Sequence, residues 1–252
     1  MKRIFFPFLI LLFFDLSVNA QRAAPDIIES NDGPITIQPI THGTLVLQWN
    51  GKTIYVDPYG GADAFKGIAK PDIILITDIH GDHLNMETLA GLDTEKTSFV
   101  VPHAVAEKLK RKYEKQLVIM KNGGIHVQGD IFINAIPMYN LPEDNTSRHP
   151  KGRGNGYFLN LGGIAIYISG DTEDIKEMRK LNSIDVAFIC MNLPYTMDIN
   201  QAASAVLEFK PKIVYPYHYR GNPDMSDTVA FKKLVNSRNS KIDVRLRNWY
   251  PN

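Results

Sequence analysis

The chain has 252 residues, 44% of them hydrophobic, enough for one sizeable core and for one or two domains. Its formal charge of +1 excludes the strongly basic field of a nucleic-acid-binding protein. Its single cysteine, Cys190, excludes an intrachain disulfide; lying in VAFICM, it reads as a buried strand residue.

In chain order, Lys2 and Arg3 precede the apolar run IFFPFLILLFF, and LSVNA-Q follows with small residues at Val18 and Ala20. The run is too short for a comfortable span of about 20 residues and contains Pro7. Residues 1–20 therefore read as a removed signal peptide and Gln21 as the mature N-terminus, which implies an exported protein, periplasmic or secreted. An uncleaved anchor is the alternative. Residues 21–33, polar with Pro and Gly, read as a flexible lead-in, and residues 34–252 as one domain.

Strand-like runs then recur at ITIQPI, TLVLQW, TIYVD, DIILIT, SFVVP, IFINAIPM, GYFLNL, IAIYIS, IDVAFIC and KIVYP, most bounded by Gly, Pro, Asn or Asp. Helical spacing appears at AVAEKLKRKYEK, EDIKEMRKL, QAASAVLEFK and MSDTVAFKKLVNS, the last opened by Ser226 or Asp227. Strands, then strands alternating with helices, then the same again predict two face-to-face sheets with helices outside, an α/β four-layer αββα sandwich.

The stretch TDIHGDHL, straight after the apolar run DIILI, holds Asp78, His80, Asp82 and His83. Neutral imidazoles and carboxylates at a strand end suit a divalent metal, with Gly81 expected to allow the tight turn. Asp57, Asp171 and His218 also follow apolar runs, and His42 precedes one. One such residue alone reads as a cap or a packed histidine; repeated placement at strand ends is what a sheet fold can converge. His103 reads as a surface residue at a helix start and His126 as an exposed strand residue.

These motifs, with THGTLVLQ, VDPYG, GNGYFLNLGGIAIYISGDTEDI, NLPYTM and KIVYPYHY, resemble the metallo-β-lactamase superfamily over about residues 35–248, closest to its ascorbate-phosphate-lactonase-like branch. The resemblance implies the metallo-β-lactamase fold and metal-dependent hydrolysis. It places His80, Asp82 and His83 in the family's His-x-His-x-Asp-His motif, Asp171 as the bridging carboxylate and His218 as the last histidine. Asp57 matches an aspartate that braces the ligand loop, and His42 a histidine near the metal.

Two positions depart from the pattern: Asp78 replaces the first histidine and Asn140 the middle one. Asp78 then either hardens a metal site, favouring manganese, iron or magnesium over zinc, or weakens it to leave one ion, or orients a histidine. His149 either binds substrate or reaches in from its loop to replace the missing ligand. The expected metal ligands are thus Asp78, His80, Asp82, His83, Asp171 and His218, binding one or two divalent ions, zinc first, with manganese or iron as alternatives.

A metal lowers the pKa of bound water toward about 7 and makes a hydroxide nucleophile, with Asp82 orienting it as the catalytic carboxylate. The expected reaction is hydrolysis of a lactone, ester or phosphodiester-like bond in a small molecule. The loop with Arg148, His149, Lys151 and Arg153 is expected to meet an anionic group, and His42, Asn140 and Tyr195 to line the substrate pocket, while Tyr217 and Tyr219 read as packing residues. No nucleic acid is expected, nor a membrane once the signal is removed. A non-hydrolytic metal-binding sensor is the competing reading.

Overall fold

The computed structural model describes residues 22–250. The expected signal peptide and Gln21 lie outside them. Within them the first half forms strands β1 (Asp26–Ile28), β2 (Ile35–Thr41), β3 (Thr44–Trp49), β4 (Lys52–Val56), β5 (Ile73–Leu75), β6 (Ser98–Val101) and β7 (Leu117–Ile119). Helices α1 (Met86–Gly91) and α2 (His103–Tyr113) lie between them. The second half forms β8 (Ile125–Gln128), β9 (Ile131–Met138), β10 (Gly154–Leu161), β11 (Ile164–Ile168), β12 (Val186–Cys190), β13 (Ile213–Tyr217) and β14 (Asp243–Val244). Its helices are α3 (Lys176–Arg179), α4 (Ile199–Phe209) and α5 (Thr228–Arg238).

Each half is one sheet with strands in chain order, antiparallel over its first four strands and parallel over its last four. Strand alternation separates the layers. Leu45, Leu47, Ile54, Val56, Ile73, Leu75 and Val100 point to the second sheet and share a core with Ile133, Leu159, Ile166 and Phe188. Between them, Val46, Tyr55, Ile74, Phe99 and Val101 point the other way, onto Leu89 of α1 and Val105 and Leu109 of α2. Ala202, Val206 and Phe209 of α4 and Phe231 and Val235 of α5 pack onto the second sheet. Strands buried on both faces must be apolar throughout, which is why DIILI shows no polar alternation. The result is the expected four-layer αββα sandwich.

Local differences from the sequence reading have local causes. The lead-in contains β1, which pairs with β2 (Asp26 opposite Ile37) and is tied down by hydrogen bonds from Tyr215 Oη and Arg247 Nε to Asp26, at 2.7 and 2.9 Å. Three residues are too few to show alternation, and β7 and β14 escape the sequence reading for the same reason. The helix expected over 173–181 shrinks to α3 because Ile175 is extended (φ −60°, ψ 157°). Helix α1, not among the helical stretches read above, is capped by Asn85, whose side chain accepts from Thr88 N. Asp198 and Gln201 form a capping box on α4, and Asp227 caps α5. His103 is exposed at the first residue of α2, Cys190 is buried in β12, and His126 is half-buried in β8.

Candidate metal centre

The loops after β4 and β5 of the first sheet and after β11 and β13 of the second meet at one rim of the sandwich. There they bring Asp57, Asp78, His80, Asp82, His83, Asp171 and His218 together with the β2–β3 turn at His42. The turn through the ligand loop closes on hydrogen bonds from His83 N and Leu84 N to His80 O. Gly81 is not what permits it: its φ is not left-handed, and a Cβ there would meet nothing within 4 Å. Left-handed backbone falls instead on His42, Asp57 and His218, at φ 55°, 44° and 47°. Each costs about 1–2 kcal/mol, offset by the contacts that fix it. His42 N donates to Trp249 O at 2.8 Å, Asp57 N to Leu75 O at 2.9 Å, and His218 N to His42 O at 3.2 Å.

Asp57 is fully buried and holds His83. Its Oδ1 accepts from Thr77 N (2.7 Å), while Oδ2 accepts from Thr77 Oγ1 (2.6 Å) and from His83 Nδ1 (2.7 Å). A proton on Nδ1 leaves the Nε2 lone pair facing the centre. His83 Nε2 lies 3.3 Å from Asp171 Oδ2 and 3.2 Å from His218 Nε2. His218 Nε2 lies 3.4 Å from Asp171 Oδ1 and 3.4 Å from Asp82 Oδ2. Donor atoms around a tetrahedral ion with bonds of about 2.0–2.1 Å stand about 3.3 Å apart, which these separations match. Two imidazole nitrogens facing each other also need a cation or a proton between them.

The charge balance favours a cation as well. Among the described residues no Lys or Arg pairs with Asp57, Asp82 or Asp171; their ion-pair partners are His42, His83, His149 and His218. Burial alone would lower His83, yet the carboxylates of Asp171 and Asp57 outweigh it and hold the imidazole well above its ordinary range. Burial alone would raise Asp171 and Asp82, but the histidines around each drive both well below the usual carboxylate range. Asp171 Oδ1 and His149 Nε2 are buried with no hydrogen-bond partner. The residues present therefore fit a divalent cation.

The other side of the centre is arranged differently. His149, fully buried, turns inward from its loop, with Nε2 3.2 Å from Asp171 Oδ2. Asn140 is not free to line a substrate pocket: its Oδ1 accepts from His149 N (2.8 Å) and Nδ1 (3.1 Å), while its amide donates to Tyr195 O and Glu173 Oε1. Asp78 is fully buried, with His80 Nδ1 at 2.6 Å from Oδ2. Arg153 grips Asp78 with both ends, Nε to Oδ1 at 3.2 Å and a terminal nitrogen to Oδ2 at 3.1 Å. Burial would raise the Asp78 carboxyl, but the His80 hydrogen bond and the charges of His83, His80 and Arg153 hold it down at about 2. Arg153, expected to meet substrate, is thus engaged with Asp78.

Above the centre lies a cavity of about 200 Å³, lined by His42, His80, Asp82, Asp171 and His218 together with Asn192, Tyr195, Arg148 and Arg220. Of the expected basic loop only Arg148 faces it, stacked 4.4 Å over the Tyr195 ring, while Lys151 pairs with Glu143 and Glu177. Arg220, which the sequence reading missed, stacks 4.2 Å over Tyr250. Tyr250, also missed, donates its hydroxyl to His42 Nδ1 at 2.8 Å, and His42 Nε2 donates to Asp82 Oδ2 at 3.0 Å. No motif marks Tyr250, 208 residues away from His42. Tyr217 is buried and accepts from Gly170 N, a packing role. A larger groove of about 890 Å³, on the second sheet beside Phe132, Ile136 and Phe158, has no histidine in its lining and is remote from this chemistry.

Residues 36–218 match the family model for the beta-lactamase superfamily domain. The chain belongs to this superfamily. It is 32% identical over 211 residues to the UPF0173 metal-dependent hydrolase of Pyrococcus furiosus, covering 78% of this chain and 90% of that protein. A presumptive metal-dependent hydrolase from Parabacteroides distasonis superposes with a TM-score of 0.79 at 37% identity, over 89% of this chain and 98% of that one. A metallo hydrolase from Ignicoccus hospitalis superposes at 0.72 with 25% identity, over 85% of this chain and 95% of that one. This superfamily member is accordingly a metal-dependent hydrolase that uses a divalent metal, rather than a binding module without chemistry.

Proposed function

We propose that this hydrolase is exported, takes zinc at Asp82, His83, Asp171 and His218, and cleaves a lactone, ester or phosphodiester bond in a small anionic molecule. The observation that carries the substrate class is the pair of arginines over the cavity. Arg148 and Arg220 each rest on a tyrosine ring, and neither has a carboxylate partner among the described residues. Two guanidinium groups beside a nest of carboxylates and histidines suit an anion whose neighbouring bond is to be broken. Export rests on the Lys-Arg start, the apolar run and the VNA-Q site.

When bound, the metal supplies Lewis acidity and makes water acidic enough to attack near neutral pH. The chain's own residues do the rest. Asp57 fixes the His83 ring, and Asp171 stands between His83, His149 and His218. Asp82 is the catalytic carboxylate; its side chain is 34% exposed, which leaves it able to accept a hydrogen bond from the attacking water and orient it. His42 lies between Asp82 Oδ2 and the Tyr250 hydroxyl and holds that carboxylate in place. Burial lowers its pKa despite the Asp82 hydrogen bond, which favours the neutral ring with one N–H for Asp82. Arg148 and Arg220 hold the anionic group, and Tyr195 forms a wall.

The test is a screen of lactones, phosphodiesters and β-lactams carrying or lacking a carboxylate or phosphate, with and without added zinc. Arg148→Ala and Arg220→Ala should each raise KM about tenfold or more for the anionic members and leave KM for neutral ones unchanged. Equal turnover of charged and neutral substrates by all three proteins would sink the substrate assignment. Mass spectrometry of the native protein checks export, which fails if residues 1–20 are found intact on a soluble cytoplasmic product.

A further inference from the structure

We propose that Leu141, Leu193 and Met225 form an apolar collar at the mouth of the cavity, and that the anion cleaved here carries an apolar tail that lies across it. The proposal rests on the reading above, in which Arg148 and Arg220 hold the anionic group.

The cavity itself sets the need. Its volume of about 200 Å³ is smaller than the roughly 300–1,000 Å³ of sites that enclose a drug-sized ligand. It therefore holds the anionic group and the reacting bond, and the rest of a larger substrate emerges over the rim. The lining is imidazole, carboxylate, amide, guanidinium and one tyrosine; among the described residues no aliphatic side chain belongs to it.

The rim has the opposite character. Leu141, Leu193 and Met225 are 42%, 47% and 50% exposed, although single exposed apolar side chains are ordinary. What sets these three apart is that their loops join one another around one opening. Met225 pairs with Arg220 in an antiparallel bridge, and residues opposed in such a bridge project to the same side. Leu193 follows Asn192 of the lining, in a turn closed by Tyr195 N donating to Asn192 O at 2.9 Å. Leu193 O accepts from Asn222 N at 2.8 Å, and a Cβ on Gly221 would collide with that oxygen, so this turn lies against the Arg220 loop. Leu141 follows Asn140 at the neck of the loop between β9 and β10. That neck is closed by Asn140 N donating to His149 O at 2.9 Å, with Arg148 on its other strand. The Asn140 amide donates to Tyr195 O at 2.8 Å, which joins the neck to the Leu193 turn. Each arginine loop thus carries an exposed apolar residue, and the turn bearing Leu193 touches both.

A polar floor with an apolar lip suits an amphiphile. The guanidinium groups fix its charged end, and its tail displaces water from the two leucines and the methionine. Methionine, unbranched and polarizable, adapts to tails of differing shape. A hydroxylated tail such as a sugar would gain nothing from these three side chains.

The test is a homologous series of anions that share one head. Methyl, butyl and hexyl phosphate are titrated by calorimetry into the protein purified without chelator. Affinity should rise about twofold per methylene, or about 30-fold from methyl to hexyl, because each methylene is covered on one side only. Leu193→Ser combined with Met225→Ser, both at exposed positions, should flatten that rise to about threefold or less, while Arg148→Ala should weaken every member alike. Equal affinity across the series in the unaltered protein, or an undiminished rise in the serine variant, would overturn the collar while the anion reading stands. Binding of no member at all would overturn both.

Discussion

His83 and His149 both present Nε2 to Asp171 Oδ2, at 3.3 and 3.2 Å, but their other ring nitrogens rest on different supports. His83 Nδ1 donates to Asp57, a buried carboxylate tied to Thr77 twice. His149 Nδ1 donates to the neutral amide of Asn140, itself held by Tyr195 O and Glu173. A carboxylate behind an imidazole raises its basicity more than an amide does, so His83 should be the stronger donor of the two. The His83 side is built from the ends of core strands, the His149 side from the loop between β9 and β10. The two imidazoles thus reach Asp171 from different kinds of element, each with its ring orientation fixed by a neighbour.

The largest effect should come from the residue the two sides share. Asp171→Ala removes a donor from both and should cost on the order of 10⁴-fold in kcat/KM, with loss of all tightly held metal on elemental analysis. An active variant that keeps its metal would break the idea of a shared carboxylate.

Removing the supports one at a time sharpens the contrast. Asp57→Ala should weaken zinc binding by up to about 100-fold and Asn140→Ala by nearer tenfold, read from competition with a fluorescent chelator. Equal losses would mean that the charge of the support is unimportant.

Arg153→Ala leaves Asp78 buried beside His80 without its guanidinium. With Arg153 about one-fifth exposed, we expect a loss of about 2 kcal/mol, seen as a lowered Tm, because an unpaired buried carboxylate is costly. Asp78→Asn made together with Arg153→Ala should recover part of that loss, and no recovery would separate the pair energetically.

Gly43→Ala should have the smallest effect. A Cβ at Gly43 would stand 2.9 Å from His218 Cδ2, so the ring must shift by a few tenths of an ångström. Activity should fall about tenfold with metal stoichiometry intact, a misplacement rather than a loss.

Among the residues picked out in sequence, Asp57, Asp171 and His218 follow long apolar runs, and TDIHGDHL packs its ligand types into one loop. These positions are legible because a strand buried on both faces is apolar throughout and its end is where polarity returns. The same patterning shows both sheets and the αββα order, while the short edge strands β1, β7 and β14 carry too few residues to show a period.

The partnerships, by contrast, are long-range. Arg153 was read as a substrate contact, yet it lies against Asp78; His149 was read as a choice between ligand and substrate contact, and Asn140 as a vacated ligand position. Each depends on which loop crosses which strand end, and no local spacing encodes that. Arg220 and Tyr250 reach the cavity by the same kind of crossing, from the loop after β13 and the last described residues. The sequence alone determined which segments carry donors and on which strands they end, because burial acts locally on side-chain type. Only the tertiary structure decided which donor faces which, because a tautomer or an ion pair is set by a neighbour brought in across the fold.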